Sequence, residues 1–237
     1  MALSERVVII TGATGALGRV VSRAFAETGA RLALTGTRAE ALEALADELD
    51  LPEGQILLRA ANLARSNDAR ALADAVVARW GRIDVLLNLA GGWAKSGRLA
   101  EVTDEEWDGM LDLNLRTCLN MCRAVLPSME ERGWGRIVNM GARSAVDPGT
   151  RQPPYNVAKA AVVALTRSIA ADYRRLGVAA NVILPSTIDT PANRATMGNA
   201  DPSRWVKPEE LAAAMLFLCS EEGGGLNGAV IPIFGRV

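Results

Sequence analysis

The chain has 237 residues, 49% hydrophobic and 22% charged, enough to remove roughly 70–75% of the unfolded surface from water around one core. Its 26 basic and 27 acidic residues leave a net charge of −1, which supplies no phosphate-neutralising surplus for nucleic acid or an anionic membrane. Histidine is absent, which excludes Ser-His-Asp and Cys-His nucleophilic catalysis and histidine-type zinc sites.

In chain order, apolar β-rich runs fall at Val7–Thr11, Leu32–Thr35, Ile56–Leu58, Ile83–Asn88, Ile137–Met140, Val178–Leu184 and Ala229–Phe234. They are apolar throughout rather than alternating, which suits parallel strands covered on both faces. Helical patterns lie between them, near 16–28, 39–50, 67–80, 104–131, 154–176 and 208–221. This β-α-β alternation predicts an α/β fold, a doubly wound, seven-stranded parallel sheet with helices on both faces. One domain over 1–237 is expected, because α/β folds commonly reach ~200–250 residues as one unit. Thr103 and Glu106 form a capping box, and Pro208 suits a first helical position. The long irregular stretches 91–103, 143–153 and 185–207 all follow strands, so they should gather at one rim of the sheet.

No stretch approaches the ~18 apolar residues that span a bilayer, and Met1 to Arg6 lacks a basic start followed by a hydrophobic signal core. A cytoplasmic protein is expected. Cys118, Cys122 and Cys219 lack metal-ligand spacing, so no metal is expected and the thiols read as small buried hydrophobes.

Thr11 to Gly18 follows the first strand and opens the first helix. Gly12, Gly15 and Gly18 permit a tight turn and close backbone approach, while helix N–H groups meet a pyrophosphate. A NAD-preferring site usually carries an acid about 20 positions later, at the end of the second strand. Here Gly36, Thr37 and Arg38 stand there instead. Their space and positive charge suit a 2′-phosphate, so NADP is the expected cofactor, with NAD the alternative. Tyr155 and Lys159, four apart, project from one helix face. A neighbouring ammonium and a nicotinamide cation would favour the phenolate, making Tyr155 a proton carrier.

With Thr11–Gly18, Asn88-Leu89-Ala90-Gly91, Asn114 and Tyr155-Asn156-Val157-Ala158-Lys159 in order, the sequence resembles the short-chain dehydrogenase/reductase family along essentially its whole length. The resemblance implies a Rossmann-type fold and a homotetramer or homodimer formed through the helices around Asn114 and Tyr155, with Ala158, Ala160, Ala161 and Ala164 permitting close packing. It makes Tyr155 the acid-base residue, Lys159 its pKa modulator and ribose ligand, and Asn114 the anchor of a water-mediated proton relay. By the same resemblance Thr14, Ala16 and Leu17 belong with the glycine-rich turn. Asn62 and Leu63 flank adenine, Asn88, Ala90 and Gly91 line the cofactor, and Pro185, Thr187, Ile188 and Thr190 hold the carboxamide.

Three positions depart from the family pattern. Ala16 stands where the compact family has glycine, and Ser186 where glycine is common. Thirteen residues before the tyrosine, Ala142 replaces the serine that holds the substrate oxygen, and a methyl group cannot make that bond. Ser144 could take over with a rearranged loop. Gly141-Ala142-Arg143, Ala90-Gly91-Gly92-Trp93 and the segment 184–194 resemble the dihydropteridine reductase branch, which lacks the serine and reduces a quinonoid pterin. Substrate contacts are expected from Trp93, Arg98, Arg143, Ser144, Gln152, Asn193, Arg194 and Met197 around Ala142. Three readings stay open: carbonyl or alcohol oxidoreduction, for instance of a 3-oxoacyl or ketone group; reduction of a pterin or other C=N substrate; and a non-catalytic nucleotide sensor.

Overall fold

The computed structural model describes residues 3–236; residues 1–2, part of the segment read for a signal core, lie outside it. Seven strands form one parallel sheet: β1 (Val7–Thr11), β2 (Arg31–Gly36), β3 (Ile56–Ala60), β4 (Val85–Asn88), β5 (Gly135–Met140), β6 (Val178–Pro185) and β7 (Val230–Ile233). Their spatial order is β3-β2-β1-β4-β5-β6-β7. The crossover from β3 to β4 passes back over β1, so connections diverge between β1 and β4. A crevice opens at the carboxyl ends of that pair.

Successive side chains of each strand enter opposite layers. Val7 and Ile9 of β1 pack with Leu72 and Val76 of α3 (Ser66–Trp80), Met121 and Val125 of α5 (Thr117–Arg132), and Val162 and Ile169 of α6 (Pro153–Tyr173). Val8 and Ile10 pack with Val21 and Phe25 of α1 (Ala16–Ala26), Leu42 and Leu45 of α2 (Ala39–Leu49), and Leu211 and Met215 of α8 (Pro208–Cys219). Both faces are therefore covered, which explains why the strand sequences are apolar without alternation.

Four boundaries differ from the sequence reading for local reasons. Ile83 and Asp84 lie outside β4, where the Asp84 carboxylate accepts the Val7 N–H at 2.8 Å and pairs with Arg6 and Arg82. The helix expected over 104–131 is interrupted: α4 (Asp104–Leu111) passes through a π-helical turn at Asp112–Arg116 before α5. The segment 185–207 is not wholly irregular. It contains α7 (Pro191–Thr196), started by Thr190 Oγ1 accepting from Asn193 N at 3.2 Å, with Pro191 at the first position. The helix expected over 154–176 ends at Tyr173, and a 3-10 turn occupies Arg174–Leu176. The capping box at Thr103 and Glu106 is present, and Pro208 opens α8. No helix among the described residues is long and apolar enough to cross a membrane.

Candidate active site

A cleft of about 1380 Å³ lies over the β1–β4 divergence, walled by the glycine-rich turn, the loops after β3, β4, β5 and β6, and the first turns of α6. This exceeds the roughly 300–1,000 Å³ of a site for one small molecule. The three long loops do meet at the carboxyl rim.

The turn after β1 is shaped by close approaches. Gly12 has φ +63° and stands so near the β4 loop that a Cβ would lie 2.9 Å from Ala90 N. Thr11 Oγ1 accepts from Leu89 N and Ala90 N, both at 3.0 Å, and thereby joins the two loops. A Cβ on Gly18 would fall 2.2 Å from Gly12 O, so α1 packs directly against the turn. Gly15 caps α1 without a side-chain bond, and the first turn holds no acid. Its N–H groups and positive dipole end are left for an anion, and these residues fit a dinucleotide pyrophosphate. Gly12, Thr14, Gly15, Ala16, Leu17, Gly18 and Thr37 all line the cleft, as do Asn62, Leu63, Ala90, Gly91, Pro185, Thr187, Ile188 and Thr190.

The first helical residues of α6 are Pro153 and Pro154; Tyr155 follows at once and Lys159 one turn later, both facing the cleft. Lys159 is 4% exposed, and its Nζ donates to Met140 O at 2.9 Å. Burial pulls its ammonium down to about 8. Tyr155 is half-buried, and desolvation pushes its phenol up to about 12. Lys159 Nζ lies 5.8 Å from the Tyr155 ring centroid and is hydrogen-bonded to the Met140 carbonyl. Desolvation favours the protonated phenol.

Asn114, 1% exposed, is placed by the π-helical turn and does not reach the cleft wall. Its amide accepts from Gly92 N at 3.1 Å and donates to Gly92 O at 2.9 Å. Its Oδ1 and Lys159 Nζ lie 2.8 and 3.4 Å from where a Cβ on Gly91 would stand. Asn114 thus positions the β4 loop against Lys159, and π-turns of this kind recur at functional sites.

Asn88 also lies beneath the cleft rather than on it. Its amide donates to Asn139 Oδ1 at 2.9 Å and to the buried Cys118 and Cys122 thiols, and Asn139 donates to Thr166 Oγ1 at 2.9 Å. This buried chain braces β4, β5 and α6. Thr11, Asn139 and Thr166 carry structural roles that the sequence reading did not assign, although Thr11 and Asn139 stand out as polar residues inside apolar strands.

At the substrate end, Trp93, Ala142, Arg143, Ser144, Gln152, Asn193 and Met197 line the cleft. Trp93 Nε1 donates to Gln152 Oε1 at 2.8 Å, and Gln152 Nε2 donates to Asn156 Oδ1 at 2.9 Å. The Arg143 guanidinium pairs with Asp147 at 2.8 Å. Arg194 lies off the cleft and clasps Asp189 at 2.6 and 2.8 Å. Arg98 and Arg38 do not line it either. Arg38 is exposed at the start of α2, with no ion-pair partner among the described residues.

A large cleft beside a glycine-rich turn, with a half-buried tyrosine and a buried lysine on one helix, points to an oxidoreductase of the nicotinamide class. A family model described as short chain dehydrogenase matches residues 6–200. The chain belongs to this family and is an NAD(P)-dependent oxidoreductase. It is 35% identical to the D-threitol dehydrogenase of Mycolicibacterium smegmatis, over 98% of this chain and 93% of that protein. Among solved structures it resembles a gluconate 5-dehydrogenase from Burkholderia cenocepacia in complex with NADP and tartrate, with 30% identity, TM-score 0.90 and coverage of 99% and 95% of the two chains. A 3-ketoacyl-(acyl-carrier-protein) reductase from Brucella melitensis complexed with NADH shows 27% identity, TM-score 0.90 and coverage of 99% of both chains.

Proposed function

We propose that this protein moves a hydride between a nicotinamide dinucleotide, NADP in preference to NAD, and a small carbonyl or alcohol substrate such as a 3-oxoacyl or ketone group, with Tyr155 handling the proton. The observation that carries this reading is the placement of Tyr155 beside an anchored Lys159 in the cleft that also holds the glycine-rich turn. When bound, the dinucleotide supplies or accepts the hydride. Tyr155 Oη holds the proton that a reduced substrate oxygen requires. Lys159 holds positive charge beside the ribose and phenol positions. The turn N–H groups of α1 bind the pyrophosphate, and the loops after β3 and β6 grip the two ends of the dinucleotide.

The preference for NADP rests on the end of β2. A Cβ at Gly36 would already meet Thr14 Oγ1 at 3.1 Å, so a ribose-binding acid does not fit there without displacing Thr14. The exposed Arg38 guanidinium begins the next helix and is available to a 2′-phosphate. A homotetramer or homodimer in the cytoplasm, without nucleic-acid or membrane partners, belongs to the same proposal.

One observation favours a second reading. Ala142 presents a buried methyl at the cleft wall, as suits reduction of a pterin-like C=N bond that develops no alkoxide. Consumption of NADPH and NADH with a 3-oxoacyl thioester and a quinonoid dihydropterin, run in parallel, separates the two. Thioester turnover supports the carbonyl reading, and pterin turnover alone supports the other.

A further inference from the structure

We infer that Ser144 supplies the hydroxyl that Ala142 lacks, hydrogen-bonding the reacting oxygen of a carbonyl or alcohol substrate; this rests on the oxidoreductase reading above. Ala142, Ser144 and Tyr155 line the same cleft. Ser144 is the middle residue of a 3-10 turn, Arg143–Ala145, and the turn is well anchored. Ala145 N donates to Ala142 O at 2.9 Å, while Val146 N and Asp147 N donate to Arg143 O at 3.0 and 2.9 Å. The Arg143 side chain is folded back onto Asp147. The anchored turn therefore holds Ser144 among the residues that line the cleft.

The second observation is the state of the hydroxyl itself. Ser144 Oγ is buried and has no hydrogen-bond partner. Buried polar groups in native proteins nearly always have one, and a ligand is among the few reasons for an exception. With no bond to hold it, Oγ can turn about χ1 between staggered wells toward the cleft. A hydroxyl donates one hydrogen bond and accepts others, so it serves both a carbonyl oxygen and the alcohol it becomes. Ala142 then marks a moved hydroxyl rather than a change of substrate class.

The test compares the wild-type protein, Ser144→Ala and the double variant Ala142→Ser/Ser144→Ala on a panel of ketones, including a 3-oxobutyryl thioester, with NADPH and with NADH. Dinucleotide affinity and melting temperature are measured for each. Ser144→Ala should lower kcat/KM by about 10–100-fold, as expected for one lost bond to a developing charge, mainly in kcat, with dinucleotide affinity and melting unchanged. The double variant should recover most of the loss. Equal kcat/KM for wild type and Ser144→Ala overturns the assignment while leaving the reductase reading intact. A loss that the double variant does not recover also overturns it. Wild-type protein that reduces no ketone with either dinucleotide overturns the carbonyl reading and the Ser144 assignment together.

Discussion

Lys159 Nζ donates to the main-chain oxygen of Met140, 2.9 Å away, so a helix ammonium is tied to the last residue of a strand at the cleft wall. That bond fixes where the charge sits relative to Tyr155. It also leaves a cation in a place that water does not reach.

The first prediction concerns the cost of that cation. Burial lowers the folded Lys159 pKa from 10.5 to about 8. Between those pH values the unfolded chain binds a proton that the folded one has released, so stability rises with pH across the window, and the full penalty of about 3 kcal/mol applies below pH 8. Lys159→Met should raise stability at pH 7 by about 1–3 kcal/mol after the lost Met140 bond is counted. The advantage should fade between pH 8 and 10 in melting curves. A Lys159→Met protein less stable than wild type at pH 7 would show that the ammonium is a net stabiliser.

Arg38→Ala should weaken NADPH binding about tenfold, equivalent to roughly 1.4 kcal/mol, while leaving NADH within a factor of about two. Titration of dinucleotide fluorescence reads both. An equal loss for the two cofactors would remove Arg38 from 2′-phosphate recognition.

Thr11→Val keeps the shape of the β1 end and deletes the oxygen that accepts from Leu89 N and Ala90 N. Stranding these backbone donors should cost about 1–3 kcal/mol in denaturant unfolding. Dinucleotide affinity should fall as well, because Gly12 and Ala90 lose their fixed separation. Unchanged unfolding would mean that the donors find other acceptors.

The fold was legible because its strands are uniformly apolar and its turns carry strong signals. Val7–Thr11 followed by Gly12, Gly15 and Gly18 determines both the first strand and the anion end of α1. Tyr155 and Lys159 were legible because i, i+4 spacing on a helix settles their common face. Asn88 was not, because its partner Asn139 lies 51 residues away and spacing carries no information about pairing between strands. The same holds for Asn114, whose π-turn is set by packing onto Gly92 rather than by local propensity. Arg194 lies off the cleft, clasped to Asp189 five residues earlier, a pairing that the sequence reading did not weigh.

The most direct test of the central claim is NADPH consumption with a 3-oxoacyl thioester by the wild-type protein and by Tyr155→Phe, with dinucleotide affinity measured alongside. Removal of the phenolic proton should lower kcat by about 10²–10⁴-fold and leave dinucleotide affinity nearly unchanged. Turnover by Tyr155→Phe at the wild-type rate would contradict the account, since the proton would then come from elsewhere.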